Sequence, residues 1–592
     1  MSYTAYPYQI LRVAKGFYQN EQVNGVFYLT RSYRWKRNGS YISGITGGTY
    51  LTKPTDVGSY LTCEETVWRP VEPNNGSTYQ APSNTTVTES PAVNIIAGGA
   101  AVAGALYPEN ITYVGTFGLP DASNVPSPPG YATFAFGLFA AGIGSVGATK
   151  TLMLVGHNYE CRMGHVTIPG DGQLVNGYSV PVGSLNRTVS SLISPSNYIA
   201  DAFEGHLNPT GATSDGIGNG AGTTGSPNRG LHRVGSTSKV IMTGVHTYTY
   251  NPLGYIWRRP MDFSVTGQLE GPVVPMQTGV IEHGRVFAGY ICNVAPENQA
   301  ALGGDILISL CGLSVVSTSS DGPAMMSLNS STFDAAFAKR IDGTVQATST
   351  TTVVQLDSSA SSTPNAYVGW FIHIPDFTYS ARKIVDYDST TKRATVTEWD
   401  LVNFSVTIPP TGAVYKLMPP LEGKALCKYD VDDLATLRGE EVAPIWVYSN
   451  TPAGIIQPSG SKTVLLIGHA SEGMWTYNGN GELTGGDGYQ GSYTYNGQKI
   501  YDPDVLGRGP HDYPYNLRVW AYSTDDLALV VSGAKTYQEV KPYGVWSMSV
   551  PYNEDITSLT YDDSTKRLYL IQNNVDVGGA GQGIVNVYQI TV

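Results

Sequence analysis

The sequence predicts an all-β fold, and three observations support this prediction. Tyr (40 residues) and Gly (68 residues) are abundant, whereas charged residues make up only 14% of the 592-residue chain. Tyr suits a pleated, half-buried strand surface, and Gly suits tight turns. No long stretch carries apolar residues at the i, i+3, i+4, i+7 spacing, so we expect few helices. The length exceeds a single core and predicts about three or four domains.

Charge and cysteine usage exclude several classes of function. The net charge is −12, and the densest basic cluster is residues 31–37. A nucleic-acid partner is therefore not expected, because its binding needs a stripe of Lys and Arg against the phosphates. The cysteines form no CxxC pair, which argues against zinc and a disulfide framework and for buried, reduced thiols. These cysteines are Cys63, Cys161, Cys292, Cys311 and Cys427.

No membrane insertion is expected either. The most apolar segments, 94–107 and 131–145, are shorter than the roughly 20 residues that a membrane helix needs. The N-terminus lacks the basic start and apolar core of a signal peptide, so we expect synthesis in a reducing cytoplasm.

The first strands predict a small β-sandwich. Trp35 precedes a turn, and an Asp-x-Gly run at 56–58 leads to Leu61 and Cys63. Residues two apart share one face of a strand, so Leu61 and Cys63 should form a core with Trp35. This outline resembles the immunoglobulin-like domains of bacteriophage virion proteins, although no earlier Cys can pair with Cys63. The resemblance implies a module that binds or spaces.

Short sequence repeats, which we call echoes, predict repeated sheets in the rest of the chain. The apolar strand 151–156 recurs at 463–468 and, more weakly, at 567–572. Each reads as a strand buried on both faces. Other strands end at proline, which cannot donate to a ladder and so marks an outer strand. These prolines are Pro120, Pro169, Pro260 and Pro551. Such alternation is the signature of a β-propeller, here of about seven blades, with a string of unrelated sandwiches as the alternative.

The last predicted blade is one strand short. Strands at 556–561, 567–572 and 584–591 leave a gap that the strand before Pro120 could fill, closing the ring. The run from 511 to 570 resembles an uncharacterised propeller family of bacterial and phage genomes. That resemblance implies a fold and no activity.

A further module interrupts the predicted propeller. Strands within 343–418 alternate every second residue, and 388–392 reads as a hairpin turn. This segment resembles a small β-module of phage virion proteins. The predicted organisation is an N-terminal arm at 1–22, the immunoglobulin-like sandwich with its linker at 23–92, the propeller at 93–342 and 419–592, and the inserted β-domain at 343–418.

The search for chemistry finds no catalytic motif. His157 and His469 follow the echoing strands, and their repetition favours a structural role. No nucleophile elbow, zinc-protease or phosphate-loop motif occurs, so we expect no enzyme activity, cofactor or metal. The aromatic-rich stretch 473–515 either packs internally or offers a rigid contact surface for glycan or protein. Its candidate binding residues are Trp475, Tyr477, Tyr489, Tyr493, Tyr495, Tyr513 and Tyr515.

These resemblances together imply a structural component of a tailed-phage virion. We expect a tail-associated or capsid-decorating appendage, oligomeric in the particle, whose partners are other virion proteins and a host-surface glycan. The alternatives are a glycan depolymerase with accessory β-modules and a bacterial surface-binding module. A depolymerase needs two carboxylates roughly 5–10 Å apart, and the sequence singles out no such pair.

Overall fold

The computed structural model describes about three fifths of the molecule, in many separate ranges. These are residues 3–5, 10–12, 30–43, 49–68, 85–90, 92–95, 103–120, 136–156, 163–179, 191, 198–199, 228–234, 238–245, 254–280, 287, 289–309, 324–374, 382–396, 408–428, 454–471, 492–495, 498–501, 515–551, 556–572 and 583–592.

The fold is all-β, as the composition predicts. Within the described ranges, α-helix is confined to three short elements. The helix at Pro296–Leu302 begins with a proline, which has no backbone N–H to leave unpaired at the helix start. It ends at Gly303, whose φ of 73° suits glycine. The helices are α1 (Pro296–Leu302), α2 (Phe333–Phe337) and α3 (Thr524–Val531).

The N-terminal module consists of two sheets. The larger has the order β1-β8-β6-β3-β4, with β7 also pairing β6, and the smaller is β2-β5. Because β1 and β8 belong to the same sheet, the module extends beyond the predicted limits of 23–92. Its strands are β1 (Tyr3–Ala5), β2 (Ile10–Arg12), β3 (Thr30–Arg37), β4 (Ser40–Tyr41), β5 (Thr49–Leu51), β6 (Tyr60–Trp68), β7 (Thr85–Glu89) and β8 (Val93–Ile95).

One aromatic contact joins the two sheets of this module. Trp35 lies directly opposite Cys63 in the β3–β6 ladder, and both are buried with Leu61 in one apolar cluster. The Trp35 ring lies 5.4 Å from the ring of Tyr50, which β5 contributes from the smaller sheet. The core therefore sits between the sheets.

Most of the remaining described strands form five sets of four. In chain order the sets are β10-β11-β12-β13, β14-β15-β16-β17, β18-β19-β20-β27, β28-β29-β32-β33 and β34-β35-β36-β9, called units 1 to 5 below. A short parallel pairing of β17 with β27 joins units 2 and 3. The sequence predicts about seven blades, and the described residues contain five such sets.

The bounds of these strands are as follows. They are β9 (Ile111–Gly118), β10 (Phe136–Val146), β11 (Thr149–Gly156), β12 (Met163–Thr167), β13 (Tyr198–Ile199), β14 (Asn228–Arg233), β15 (Lys239–Val245), β16 (Gly254–Pro260), β17 (Glu270–Met276), β18 (Ile291–Asn293), β19 (Ile306–Ser309), β20 (Ala324–Leu328), β27 (Pro420–Lys428), β28 (Gly454–Ile456), β29 (Thr463–Ser471), β32 (Tyr515–Ser523), β33 (Gly544–Ser547), β34 (Ile556–Asp562), β35 (Arg567–Gln572) and β36 (Ile584–Ile590).

The three echoing strands occupy the second place in their units and are buried on both faces, as predicted. In β11, Leu152 and Leu154 join a core shared with unit 5, whereas Met153 and Val155 join a core shared with unit 2. The strands β29 and β35 divide their alternating residues between two cores in the same way. Each of these sheets therefore packs face to face with a sheet on either side.

The units follow one another in a closed cycle. The first strands contact each other in the order β10, β14, β18, β28, β34 and back to β10. The apolar cores follow the same cycle, bridging units 1 and 2, units 2 to 4, units 4 and 5, and units 5 and 1.

The strand before Pro120 completes unit 5, as the sequence predicts. β9 pairs antiparallel with β36, from Ile111 opposite Ile590 to Gly118 opposite Ile584. The chain segment nearest the N-terminal module is thereby bonded to the C-terminal strand.

The prediction that proline-ended strands are outer strands is only partly correct. β9 and β33, before Pro120 and Pro551, are last in their units. β12 and β16, before Pro169 and at Pro260, have a strand on each side. A proline at the end of a strand removes at most the terminal donor of the ladder, as at Pro260 opposite Lys239, so it does not require an edge position.

The segment between β20 and β27 forms its own curled sheet and core. The order is β21-β26-β23-β24-β25-β22, and Gln346 N–H donates to Gln355 O (2.8 Å), which joins the two ends of the sheet. The predicted hairpin at 388–392 joins β24 to β25. The strands are β21 (Ile341–Thr344), β22 (Val353–Gln355), β23 (Phe371–His373), β24 (Arg382–Asp388), β25 (Arg393–Val396) and β26 (Val414–Met418).

Both accessory modules contact the units. The strand β5 of the N-terminal module lies against β33 of unit 4. Phe371 and Met418 of the inserted module share a core with Trp257 of unit 2. The accessory modules are thus packed onto the cycle of sheets.

Candidate functional site

The aromatic residues predicted to bind glycan or protein fall mostly outside the described part of the chain. Trp475, Tyr477, Tyr489 and Tyr513 lie outside it. The backbone of Tyr493 and Tyr495 lies in a hairpin of β30 (Ser492–Tyr495) and β31 (Gln498–Tyr501), and Tyr515 begins β32, but their side chains are not described. His157 is also outside, and His469 is placed on β29 by its backbone. The binding role of this stretch stays a prediction.

A different aromatic site lies where unit 5 meets unit 1. The segment 168–179, which follows β12 of unit 1, crosses onto β9 of unit 5. Thr116 N–H donates to Val175 O (2.8 Å), and Val175 N–H donates to Thr116 O (3.1 Å). A Cβ on Gly115 would lie 2.6 Å from Cβ of Leu174, so the close approach of the two chains requires glycine there. We call this region, residues 111–118, 168–179 and 584–590, the closure seam.

A directed chain of hydrogen bonds crosses the closure seam. Thr116 Oγ1 donates to Asn586 Oδ1 (2.6 Å), so the Tyr113 hydroxyl must donate to Thr116 Oγ1 (2.7 Å). Gly177 N–H in turn donates to the Tyr113 oxygen (2.8 Å), and Asn586 Nδ2 donates to Gln572 Oε1 (2.5 Å). Thr116, Asn586 and Gln572 are fully buried. Because each buried polar group has a partner, the network fixes the register of β9.

Three tyrosines pack together at the Tyr113 end of this hydrogen-bond network. The ring of Tyr113 meets those of Tyr178 and Tyr588 edge to face, at centroid distances of 5.1 Å and 5.4 Å. The Tyr588 hydroxyl donates to Ser549 O (2.7 Å). Tyr178 nevertheless remains 53% exposed.

The electrostatics of the closure seam favour neutral, hydrogen-bonding groups. Burial raises the pKa of the Tyr113, Tyr178 and Tyr588 phenols, so all three are protonated near neutral pH. Arg567 Nη2 pairs with Asp171 Oδ2 (2.6 Å) at the edge of the site. The closure seam is therefore held together by ring contacts and by hydrogen bonds among phenol, amide and hydroxyl groups, and Tyr178 is the tyrosine that it exposes.

Polar contacts outside the closure seam also link neighbouring units. Lys150 Nζ pairs with Asp562 Oδ2 (2.6 Å), joining units 1 and 5. Asp562 also accepts from Ser564 N–H (3.1 Å) within its own turn, as Asp commonly does. The neighbouring Asp563 accepts from Ser459 N–H (3.0 Å) and so links unit 5 to unit 4.

A buried histidine joins units 1 and 2. His165 Nε2 donates to Met261 O (2.9 Å), and Nδ1 accepts from Thr151 Oγ1 (2.7 Å). The carbonyl partner requires a proton on Nε2, and burial lowers the pKa of the ring. His165 is thus held neutral as a structural link.

The remaining predicted chemical features have simple outcomes within the described residues. Cys63, Cys292 and Cys427 are buried thiols that form no disulfide, as expected. None of the described His, Cys, Asp and Glu side chains gather into a group of three or more that could hold a metal ion. None of the helices in the described ranges has the length and hydropathy of a membrane-spanning segment.

Sequence reasoning missed the closure seam because its parts are far apart in the chain. Tyr113 lies in the strand that was expected to close unit 5, but Asn586 and Tyr178 carry no motif. The available signal was Asn176-Gly177, a turn pair directly before an aromatic residue.

Comparison with known proteins identifies no family. No family model and no curated protein matches the chain. Thirty-five chains of known structure match it. One is the crystal structure of a protein of unknown function from Dyadobacter fermentans DSM 18053, with 9% identity, covering 82% of this chain and 100% of that chain, at a TM-score of 0.28. At this level the likeness supports no functional argument.

Proposed function

We propose that units 1 to 5 are the blades of a closed β-propeller and that residues 3–95 form an immunoglobulin-like module. The observation that carries this proposal is the closed cycle of contacts between the first strands of the five units. A propeller places the first strand of each four-stranded blade around the axis and stacks the blades face to face. The shared cores between successive units are what such stacking produces.

The immunoglobulin-like assignment has its own support. Two sheets enclose Trp35, and the buried carboxylate of Asp56 ties the strand β3 to the smaller sheet. Asp56 accepts from Arg37 Nε (2.6 Å) and from the Tyr50 hydroxyl (3.0 Å). The Asp-x-Gly run that suggested the family therefore has a physical role in holding the sheets together.

We infer that the protein is a structural component of a tailed-phage virion that displays the propeller for assembly contacts or attachment to a host-surface glycan. The support is architectural. In a closed ring of sheets, few strand edges are left open for pairing with other chains. Both accessory modules are packed onto the ring. Such a body suits a passive, durable appendage, with the N-terminal module as the attachment point.

This proposal is tested by removing the proposed attachment point. Tagged full-length chain and a tagged variant lacking residues 1–102 are expressed during infection, and purified particles are probed for the tag. We expect the full-length chain in the particles and the truncated chain in the unbound fraction, although the latter elutes as a folded species. Incorporation of both would remove the attachment role, and absence of both from particles would overturn the virion assignment. Release of fragments from a host polysaccharide by the purified chain would instead establish the depolymerase.

A further inference from the structure

Among the described residues of the five units, Tyr178 is the one aromatic side chain whose surface is more than half exposed. An exposed Tyr is ordinary when its ring is free to turn. This ring packs edge to face with the ring of Tyr113 (centroid distance 5.1 Å), and its backbone N–H is bonded within the turn at Asn176. The ring contact and the turn restrict the orientation of its exposed surface.

The backbone that carries Tyr178 is also fixed, although it belongs to no regular strand. Tyr178 N–H donates to Asn176 Oδ1 (3.1 Å), and Ser179 N–H donates to Asn176 O (3.0 Å). A Cβ on Gly177 would lie 2.8 Å from Thr116 Oγ1, so the turn sits directly on β9. The loss of chain entropy on presenting this ring has thus already occurred in the folded protein.

The surroundings of the ring are polar. The same segment exposes Asp171, Gln173, Asn176 and Ser179, whose groups donate and accept hydrogen bonds. A fixed aromatic surface beside amide and hydroxyl groups matches a pyranose, whose C–H face packs on the ring while its hydroxyls bond to the neighbouring side chains.

Charge narrows the class of glycan. The chain carries a net charge of −12, which repels polyanions at long range. Arg567, a cation at the edge of this surface, is already paired with Asp171. A neutral glycan meets no such barrier.

We propose that Tyr178 and its flanking side chains on 168–179 form a binding site for a neutral pyranose glycan. The inference deepens the proposed attachment function and rests on it. It places the receptor contact on the closure seam, at a different position from the aromatic-rich stretch 473–515.

The test uses the full-length chain and an array of purified neutral and acidic bacterial polysaccharides. Four proteins are compared: wild type, Tyr178→Ala, Tyr178→Phe and Tyr60→Ala. Tyr60 is the matched control, because it is 41% exposed but lies on β6 of the N-terminal module. Thermal unfolding of each variant establishes that the fold is retained.

We expect wild type to bind at least one neutral polysaccharide and Tyr178→Ala to lose about tenfold or more in affinity, the size of a lost aromatic stacking contact. Tyr178→Phe keeps the ring and should stay within about threefold, and Tyr60→Ala should equal wild type. Unchanged binding by Tyr178→Ala would overturn the site while leaving the attachment function intact. Binding to acidic polysaccharides only, or to none, would overturn the ligand class, and incorporation into particles tests the proposed function separately.

Discussion

Asp56 shows how much a single residue contributes to the N-terminal module. Its side chain is fully buried, and one carboxylate oxygen accepts from Lys53 N–H (2.7 Å) while the carboxylate as a whole engages Arg37 and Tyr50. Arg37 keeps a third of its side chain in solvent, so part of its charge is screened. The carboxylate, in contrast, depends entirely on these donors.

We predict that Asp56→Asn destabilises this module by about 2 kcal/mol, because the amide leaves Arg37 without its charged partner and places an NH₂ group among donors. Hydrogen–deuterium exchange in the full-length chain should show amides of β6 exchanging about 30-fold faster. Asp386→Asn, at an exposed position on β24, is the matched control and should leave exchange of β6 unchanged. Equal exchange in the two variants would show that Asp56 is dispensable.

The sequence revealed Asp56 but not its partners. The Asp-x-Gly run marked the position as part of a motif, whereas Arg37 and Tyr50 lie on strands of two different sheets and carry no spacing signal. Trp35, Leu61 and Cys63 were found because alternation along a strand predicts which side chains share a face. The tyrosines of the closure seam come from three distant segments, so only the folded chain brings them together.

At the scale of the element, the first strands are shaped by how closely they approach one another. A Cβ on Gly230 of β14 would lie 2.2 Å from Gly289 O, next to β18. A Cβ on Gly454 of β28 would lie 1.9 Å from Leu559 Cγ on β34. These glycines lack a side chain because another strand occupies that space, which no periodicity in the sequence would show.

We predict that Gly230→Ala destabilises the contact between units 2 and 3 by about 2–3 kcal/mol, since a backbone carbonyl cannot move aside as a flexible side chain can. Urea unfolding monitored by hydrogen exchange in β14 and β18 measures the loss. The control is Gly172→Ala, where a Cβ would meet nothing within 4 Å. That substitution should change stability by less than about 0.5 kcal/mol. If Gly230→Ala behaved like the control, the close packing of the first strands would be refuted.

At the scale of the whole molecule, the sequence predicted the arrangement of strands within the sets better than it predicted the number of sets. The repeated apolar strands and the missing strand of the last set could both be predicted, because a strand buried on both faces is apolar throughout. The number of sets could not be predicted, because the chain segments between the sets differ greatly in length. Unit 5 is completed by one non-local pairing, β9 with β36, whose two strands are separated by about four fifths of the chain.

Two truncations separate closure from the rest of the N-terminal region. Removing residues 1–102 deletes the N-terminal module but keeps β9, whereas removing residues 1–120 deletes β9 as well. We predict that the shorter truncation stays monodisperse in size-exclusion chromatography with a single thermal transition. The longer one should aggregate and unfold at lower temperature, because it exposes the edge of β36 and leaves Asn586 without Thr116.

A peptide of residues 103–120 supplied in trans should restore the longer truncation, since its strand carries the missing backbone and side-chain donors. The same peptide with Thr116→Val should restore it less well, because valine cannot donate to Asn586 Oδ1. This comparison distinguishes the specific register of the closure seam from simple coverage of an apolar edge. Equal rescue by both peptides would assign closure to backbone pairing alone, and full stability of the longer truncation without peptide would mean that β9 does not close the cycle.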